Sequence, residues 1–144
     1  MPRKPQIAVV DGQGGGVGKV LVERLRQTFG QAVKITALGT NSRATAEMLR
    51  AGADEGATGE NAIVVGAGRA DVITGVLAIV LANTLLGEVT PRMAEAIATS
   101  PAHKLLIPFS KCGVEIVGVA PDSLSGRIDQ AVRQIGDYLA EAEA

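Results

Sequence analysis

An apolar run, Ile7-Ala-Val-Val10, stops at Asp11, and five of the next seven residues are glycine. Val17, Leu21, Val22, Leu25 and Phe29 then recur at helical spacing. A strand, a glycine turn and a helix in that order aim backbone N–H groups at an anion, and the aligned peptide dipoles favour negative charge there. Asp11, Gly12, Gln13, Gly14, Gly15, Gly16 and Gly18 therefore form a candidate phosphate cradle. The same glycines could serve only tight geometry and close packing. Five in seven residues, however, cost more backbone entropy than a plain turn justifies.

Named phosphate motifs narrow the chemistry. The P-loop pattern G-x-x-x-x-G-K-[ST] fails twice, because Gln13 stands at its first glycine and Val20 replaces the hydroxyl that holds Mg²⁺. ATP hydrolysis is not expected. In a G-x-G-x-x-G pattern begun at Gly12, Val17 takes the place of the third glycine. Gly12-x-x-x-Gly16-x-Gly18 does match the spacing of short-chain dehydrogenases. That chemistry requires a tyrosine and a lysine four apart, yet the only tyrosine, Tyr138, is followed at that distance by Ala142. A tyrosine-dependent reductase is not expected either.

The second apolar run, Ala32 to Leu38, closes on Gly39-Thr-Asn-Ser-Arg43. An NAD site usually places Asp or Glu at that point to take the ribose hydroxyls. Thr40, Asn41, Ser42 and Arg43 instead offer hydroxyls, an amide and a cation, a set suited to phosphate, so NADP is favoured over NAD if the ligand is a dinucleotide, with another nucleotide as the alternative. Asn41 and Ser42 could equally cap the helix that follows.

Other candidates for chemistry are isolated. Cys112 lies beside Lys111, which could lower a thiol pKa; an unreactive turn thiol is the alternative. Asn83, within Leu81-Ala-Asn-Thr-Leu-Leu86, is an amide in an apolar stretch and would need partners if buried. Asn83 and Cys112 are the candidate catalytic residues. Glu60-Asn61 and Glu88 are polar residues in apolar or glycine-rich surroundings. His103 is expected at the surface, at the sheet end opposite the glycine loop, and Lys19 in solvent near that loop. One histidine and one cysteine give no spaced metal cluster, so no metal is expected.

Composition bounds the partners. At 144 residues the chain is read as one domain, 1–144, and 47% hydrophobic against 20% charged residues makes it globular. A net charge of −1 gives no pull toward nucleic acid or anionic membrane, and 2% aromatics leave no base-stacking platform. A single cysteine fits a reducing compartment. The charged N-terminus leads into no secretory apolar region, and Val72 to Leu86 is too interrupted to span a membrane. A cytoplasmic protein is expected.

The elements that position the loop follow from periodicity. Ala32–Leu38 reads as a strand, and the next helix should bury Ala44, Met48 and Leu49 before ending at Gly52. A short strand is expected at Glu55–Ala57. Glu60–Arg69 is rich in β-branched residues, but alternation of its neighbours favours helix. Asp71–Gly75 reads as a buried strand and Ala78–Leu86 as a buried helix. Thr90-Pro91 starts a helix whose inner face is Met93, Ala94, Ile97 and Ala98. Lys104–Phe109 and Val114–Val119 both read as strands, and only Ser110–Gly113 separates them. A parallel crossover needs a dozen or more residues, so an antiparallel hairpin is expected. Pro121–Gly126 should be a turn, and Ile128, Val132, Ile135 and Leu139 form the stripe of a C-terminal helix. The fold expected is α/β: a three-layer, Rossmann-like, mostly parallel sheet with an antiparallel C-terminal edge hairpin.

IAVVDGQGGGVGK (7–19), ALGTN (37–41), AGADEGATGEN (51–61), VLANTLLGEVTPRMAEAIA (80–98) and Cys112–Val119 together resemble an uncharacterised family of small bacterial proteins, a domain of unknown function. The resemblance covers most of the chain. It implies a Rossmann-like domain, draws attention to the glycine loop, Thr40-Asn41, Glu60-Asn61, Asn83 and Cys112, and lends no catalytic residue. The function expected is binding of a small phosphorylated ligand, NADP-like, at Gly12–Gly18. The alternative is a homo-oligomer, such as a homodimer, of structural or regulatory role, with Val76–Leu86 buried against a partner subunit and the glycine loop only a tight turn.

Overall fold

Successive side chains of a strand point to opposite faces, and β1 (Gln6–Asp11) buries both. Ile7 and Val9 enter one apolar layer, Ala8 and Val10 the other. Such a strand must be covered on both sides, which parallel βαβ winding achieves. The computed structural model describes residues 3–109 and 112–143 and has that architecture. After β1 come α1 (Gly16–Phe29), β2 (Lys34–Gly39), α2 (Ser42–Arg50), β3 (Glu55–Thr58), α3 (Glu60–Arg69) and β4 (Val72–Val76). A 3₁₀ turn at Leu77–Val80 follows, then α4 (Pro91–Thr99), β5 (His103–Ile107) and α5 (Leu124–Glu143).

The five strands run parallel in the order β3-β2-β1-β4-β5. Leu21, Val22 and Leu25 of α1, Met48 of α2, and Ile128, Val132 and Ile135 of α5 cover one face. Ile63 and Ala67 of α3 and Met93, Ala94 and Ile97 of α4 cover the other. The chain winds outward from β1 to β3, then crosses back to β4. The carboxyl ends of β1 and β4 thus flank the topological switch point, where such sheets open a crevice.

Several expectations hold for local reasons. The Asn41 side chain accepts from Ala44 N–H (2.9 Å) and starts α2. The Thr90 hydroxyl accepts from Met93 N–H (3.2 Å) behind Pro91. Glu60–Arg69 is a helix, and His103 is exposed at the amino end of β5, stacked on Tyr138 with ring centroids 4.1 Å apart.

Four expectations are corrected. There is no antiparallel edge hairpin: β5 pairs parallel with β4, and Val114–Val119 forms no strand. Arg127 donates to the carbonyls of Pro108 (2.9 Å), just after β5, and of Ala120 (3.3 Å), just after that segment. Of the connecting residues, Ser110 and Lys111 lie outside the described residues. Ala78–Leu86 is not a helix. The Thr84 hydroxyl donates to the carbonyls of Ala78 (2.6 Å) and Leu81 (2.8 Å), and Asn83, Leu85, Leu86 and Gly87 all have positive φ, which a right-handed helix does not allow. Leu49 is 41% exposed, because Ala44, Thr45 and Met48 take the buried face of its helix. Finally, α5 begins at Leu124, inside the expected turn.

Candidate functional site

The glycine loop joins β1 to α1 at the switch point, and each glycine has its own environment. A methyl group on Gly15, whose φ is +74°, would lie 2.8 Å from Cα of Ala44. One on Gly18 would lie 2.6 Å from Sδ of Met48, and one on Gly12 would meet Thr40 Oγ1 at 2.5 Å and Leu85 Cδ1 at 2.9 Å. These three are small because the fold packs on them. Gly14 and Gly16 differ. Neither has positive φ, and a methyl group on either meets nothing within 4 Å. Nothing internal requires glycine at those two positions.

Part of the loop is satisfied from within. Asp11, 7% exposed, accepts from Gly12 N–H (2.8 Å) and Gly18 N–H (2.6 Å), so its carboxylate fills the inner side of the turn. Burial pushes its pKa up, and the nearby charge of Glu88 adds to this; the two N–H bonds pull the other way without prevailing. Gly15 N–H donates to Gly12 C=O (3.0 Å). The N–H groups of Gly14, Gly16 and Val17, at the start of α1, take no acceptor among the described residues. They form the open, solvent-facing side of the turn.

The second cluster read from the sequence does come to this loop. Thr40 N–H donates to Asp11 C=O (3.0 Å), and Asn41 Nδ2 donates to Gln13 C=O (3.0 Å). Asn41 and Thr40 are half-buried, whereas Ser42 and Arg43 lie exposed in the first turn of α2. Lys19 is exposed one turn into α1.

The candidate catalytic residues do not join them. Asn83 is exposed rather than buried, with φ +69°, a conformation asparagine tolerates better than most residues. Its backbone N–H closes the loop on Val89 C=O (2.7 Å). Cys112 follows β5, two strand positions from β1, and its thiol donates to Phe109 C=O (3.1 Å). No cluster of three or more His, Cys, Asp or Glu among the described residues could hold a metal ion. No helix among them is long and apolar enough to cross a membrane.

Glu88 enters the site instead. Its Oε1 accepts from Thr40 Oγ1 (2.7 Å), Gln13 N–H (2.8 Å) and Asn41 Nδ2 (2.8 Å). Desolvation raises its pKa, but the three hydrogen bonds outweigh this and hold the carboxyl below its ordinary value. A carboxylate thus stands at the end of β2 after all, and the premise that favoured NADP does not hold. The sequence offered one signal, a lone acid between Gly87 and Val89, but no pattern linking it to residues 13, 40 and 41.

No curated protein matches the chain. Among solved structures it is similar to a dodecameric FMN-dependent UbiX-like decarboxylase from Escherichia coli O157:H7, at 15% identity over 92% of this chain and 76% of that one, with a TM-score of 0.45. It is also similar to a universal stress protein in complex with cAMP, at 21% identity over 74% of this chain and 98% of that one, with a TM-score of 0.43. A family model covers residues 6–140, and the chain belongs to that family, Domain of unknown function (DUF3842).

Proposed function

We propose that the chain binds a nucleotide or another phosphorylated ligand at the Gly12–Gly18 loop. The observation that carries this reading is the pair Gly14 and Gly16. Both are bare without a packing or conformational reason, and they flank the open N–H groups at the start of α1. A phosphate accepting from Gly14, Gly16 and Val17 would meet the positive end of the α1 dipole, with Arg43 exposed on the adjoining first turn of α2. The reading is one of binding, not of turnover.

Thermal unfolding with millimolar pyrophosphate, ADP, NAD, NADP or FAD tests it. A ligand present at about a hundred times its Kd should stabilise the fold by about 2.7 kcal/mol. Gly16→Asp separates binding from folding. An acid at the first helical position should leave stability unchanged or raise it by about 0.5 kcal/mol, while repelling the phosphate. Binding unchanged in that variant, or no shift with any of the five, sinks the reading.

A second reading, a homo-oligomer, is supported by a different surface from the one the sequence suggested. In Val76–Leu86, Val76, Ala78 and Ile79 are buried within their own chain, and Leu86 at its end is 96% exposed. Val114, Ile116, Val117 and Val119 are the exposed apolar residues that lie together, with Val117 96% exposed. Light scattering should then report a dimer or larger for the wild type and a monomer for Val117→Asp. A monomeric wild type at ~0.1 mM rules it out, since an interface of standard size holds well below that concentration.

A further inference from the structure

The carboxylate of Glu88 is held in a way that leaves half of it free. Three donors fix Oε1, from the glycine loop (Gln13) and from the two residues after β2 (Thr40, Asn41). No described donor reaches Oε2. The group cannot swing away without abandoning all three bonds, and Leu85, packed over Gly12, holds the same segment down. Its place is equally defined. A methyl group on Gly12 would lie 3.0 Å from Glu88 Oε1 and 2.5 Å from Thr40 Oγ1, so the carboxylate sits between the first glycine and the end of β2.

In open α/β sheets that bind dinucleotides, an acid at this point accepts the ribose hydroxyls. Such an acid ordinarily belongs to β2 itself. Here Thr40 and Asn41 stand at the end of β2 and secure a carboxylate that arrives from the β4–α4 connection, 48 and 47 residues later.

We infer that Glu88 is the specificity-determining residue of this site, selecting ligands with a free ribose 2′,3′-diol and rejecting those with a phosphate on the 2′ oxygen. The inference rests on the nucleotide reading above. A free carboxylate oxygen accepts an O–H; a phosphate dianion offers no proton and brings like charge to hydrogen-bonding distance. The ligand class is therefore a ribonucleotide of the NAD or ADP type, and NADP is excluded by charge rather than by size.

Titration calorimetry on the full chain with NAD, NADP, ADP and 2′-deoxy-ADP tests this. The unaltered protein should bind NAD about tenfold or more tightly than NADP, and ADP about tenfold more tightly than 2′-deoxy-ADP, the size of one hydrogen bond to a charged group. Glu88→Gln should weaken NAD and ADP and bring NADP level with NAD. NADP bound as tightly as NAD by the wild type overturns the inference while leaving the nucleotide reading intact. So does a Glu88→Gln variant that binds every nucleotide more tightly, because Glu88 would then be a plug rather than a reader. If none of the four binds, the inference falls, and the pyrophosphate and FAD arms of the unfolding series decide whether the phosphate-binding reading falls with it. Should Glu88→Gln not fold, the two affinity ratios measured on the wild type decide alone.

Discussion

Gly15→Ala is expected to destabilise the fold by about 3 kcal/mol, whereas Gly14→Ala and Gly16→Ala should each stay within about 0.5 kcal/mol of wild type. Two costs add at Gly15. Its φ of +74° is left-handed, which for a residue with a side chain costs about 1–3 kcal/mol. The new methyl group would also press on backbone, at 2.8 Å from Cα and 3.2 Å from the carbonyl oxygen of Ala44. That backbone is the first turn of α2, pinned by the Asn41 side chain, so it cannot yield without losing its cap. Relief would have to come from the loop itself, typically another 1–3 kcal/mol of strain. Gly14 and Gly16 meet neither cost. In a domain of this size, about 3 kcal/mol should lower Tm by roughly 10 °C. Urea denaturation of the three variants is the measurement. Equal stabilities would show that position in the loop does not matter, and the distinction that supports ligand binding at Gly14 and Gly16 would go with it.

Arg26→Ala should cost a similar amount, about 3 kcal/mol at neutral pH, from the opposite end of the same βαβ unit. The Arg26 guanidinium donates to the carbonyls of Gly52 (2.9 and 3.1 Å), Gly30 (2.6 Å) and Val33 (3.3 Å), and to Asp54 (2.7 Å). One side chain thereby ties the end of α1, the start of β2 and the end of α2. Its removal leaves Asp54, which also accepts from Ile35 N–H (2.8 Å), without its ion-pair partner and with only the weaker pull of Lys4. Desolvation raises the Asp54 pKa, but the Ile35 N–H and Arg26 prevail and lower it. A carboxyl with a depressed folded-state pKa stabilises above the unfolded value, near 3.8, and that contribution is lost as pH falls through the folded value. The gap between wild type and Arg26→Ala should therefore be widest at neutral pH and narrow on acidification below about pH 4. Denaturation curves across that range test it; a gap that does not change with pH would mean the carbonyl bonds carry the whole effect. Ligand affinity of the folded variant should match wild type, because Arg26 touches nothing at the glycine loop.

The local features were legible because their causes are local. Asn41 capping α2 and Thr90-Pro91 opening α4 depend on residues within three positions of one another. Burial of β1 on both faces is written in its unbroken apolar run, and that requires covering helices. The antiparallel hairpin is absent for a physical reason as well. Val114–Val119 has strand composition, but a strand exists only with a partner. Val114–Val119 pairs with no strand, and Arg127, reaching from α5, bonds to Pro108 after β5 and to Ala120 after the segment. The apolar stretch 78–86 likewise lacks a helix because its hydroxyl and positive-φ residues close a tight loop over Gly12.

The glycine loop, its strand and its helix were determined by the sequence alone, since periodicity and glycine spacing act over a few residues. Which glycines are structural and which are open was decided only by tertiary packing. Gly15 and Gly18 are committed to α2 and to Asp11, while Gly14 and Gly16 face solvent. The charge at the end of β2 was decided there too. The residues that follow β2 in sequence carry no acid, yet Glu88 supplies one across separations of 75, 48 and 47 residues from its three donors. Contacts at that range follow from how the sheet winds back at its switch point, and no local pattern in a single chain encodes them.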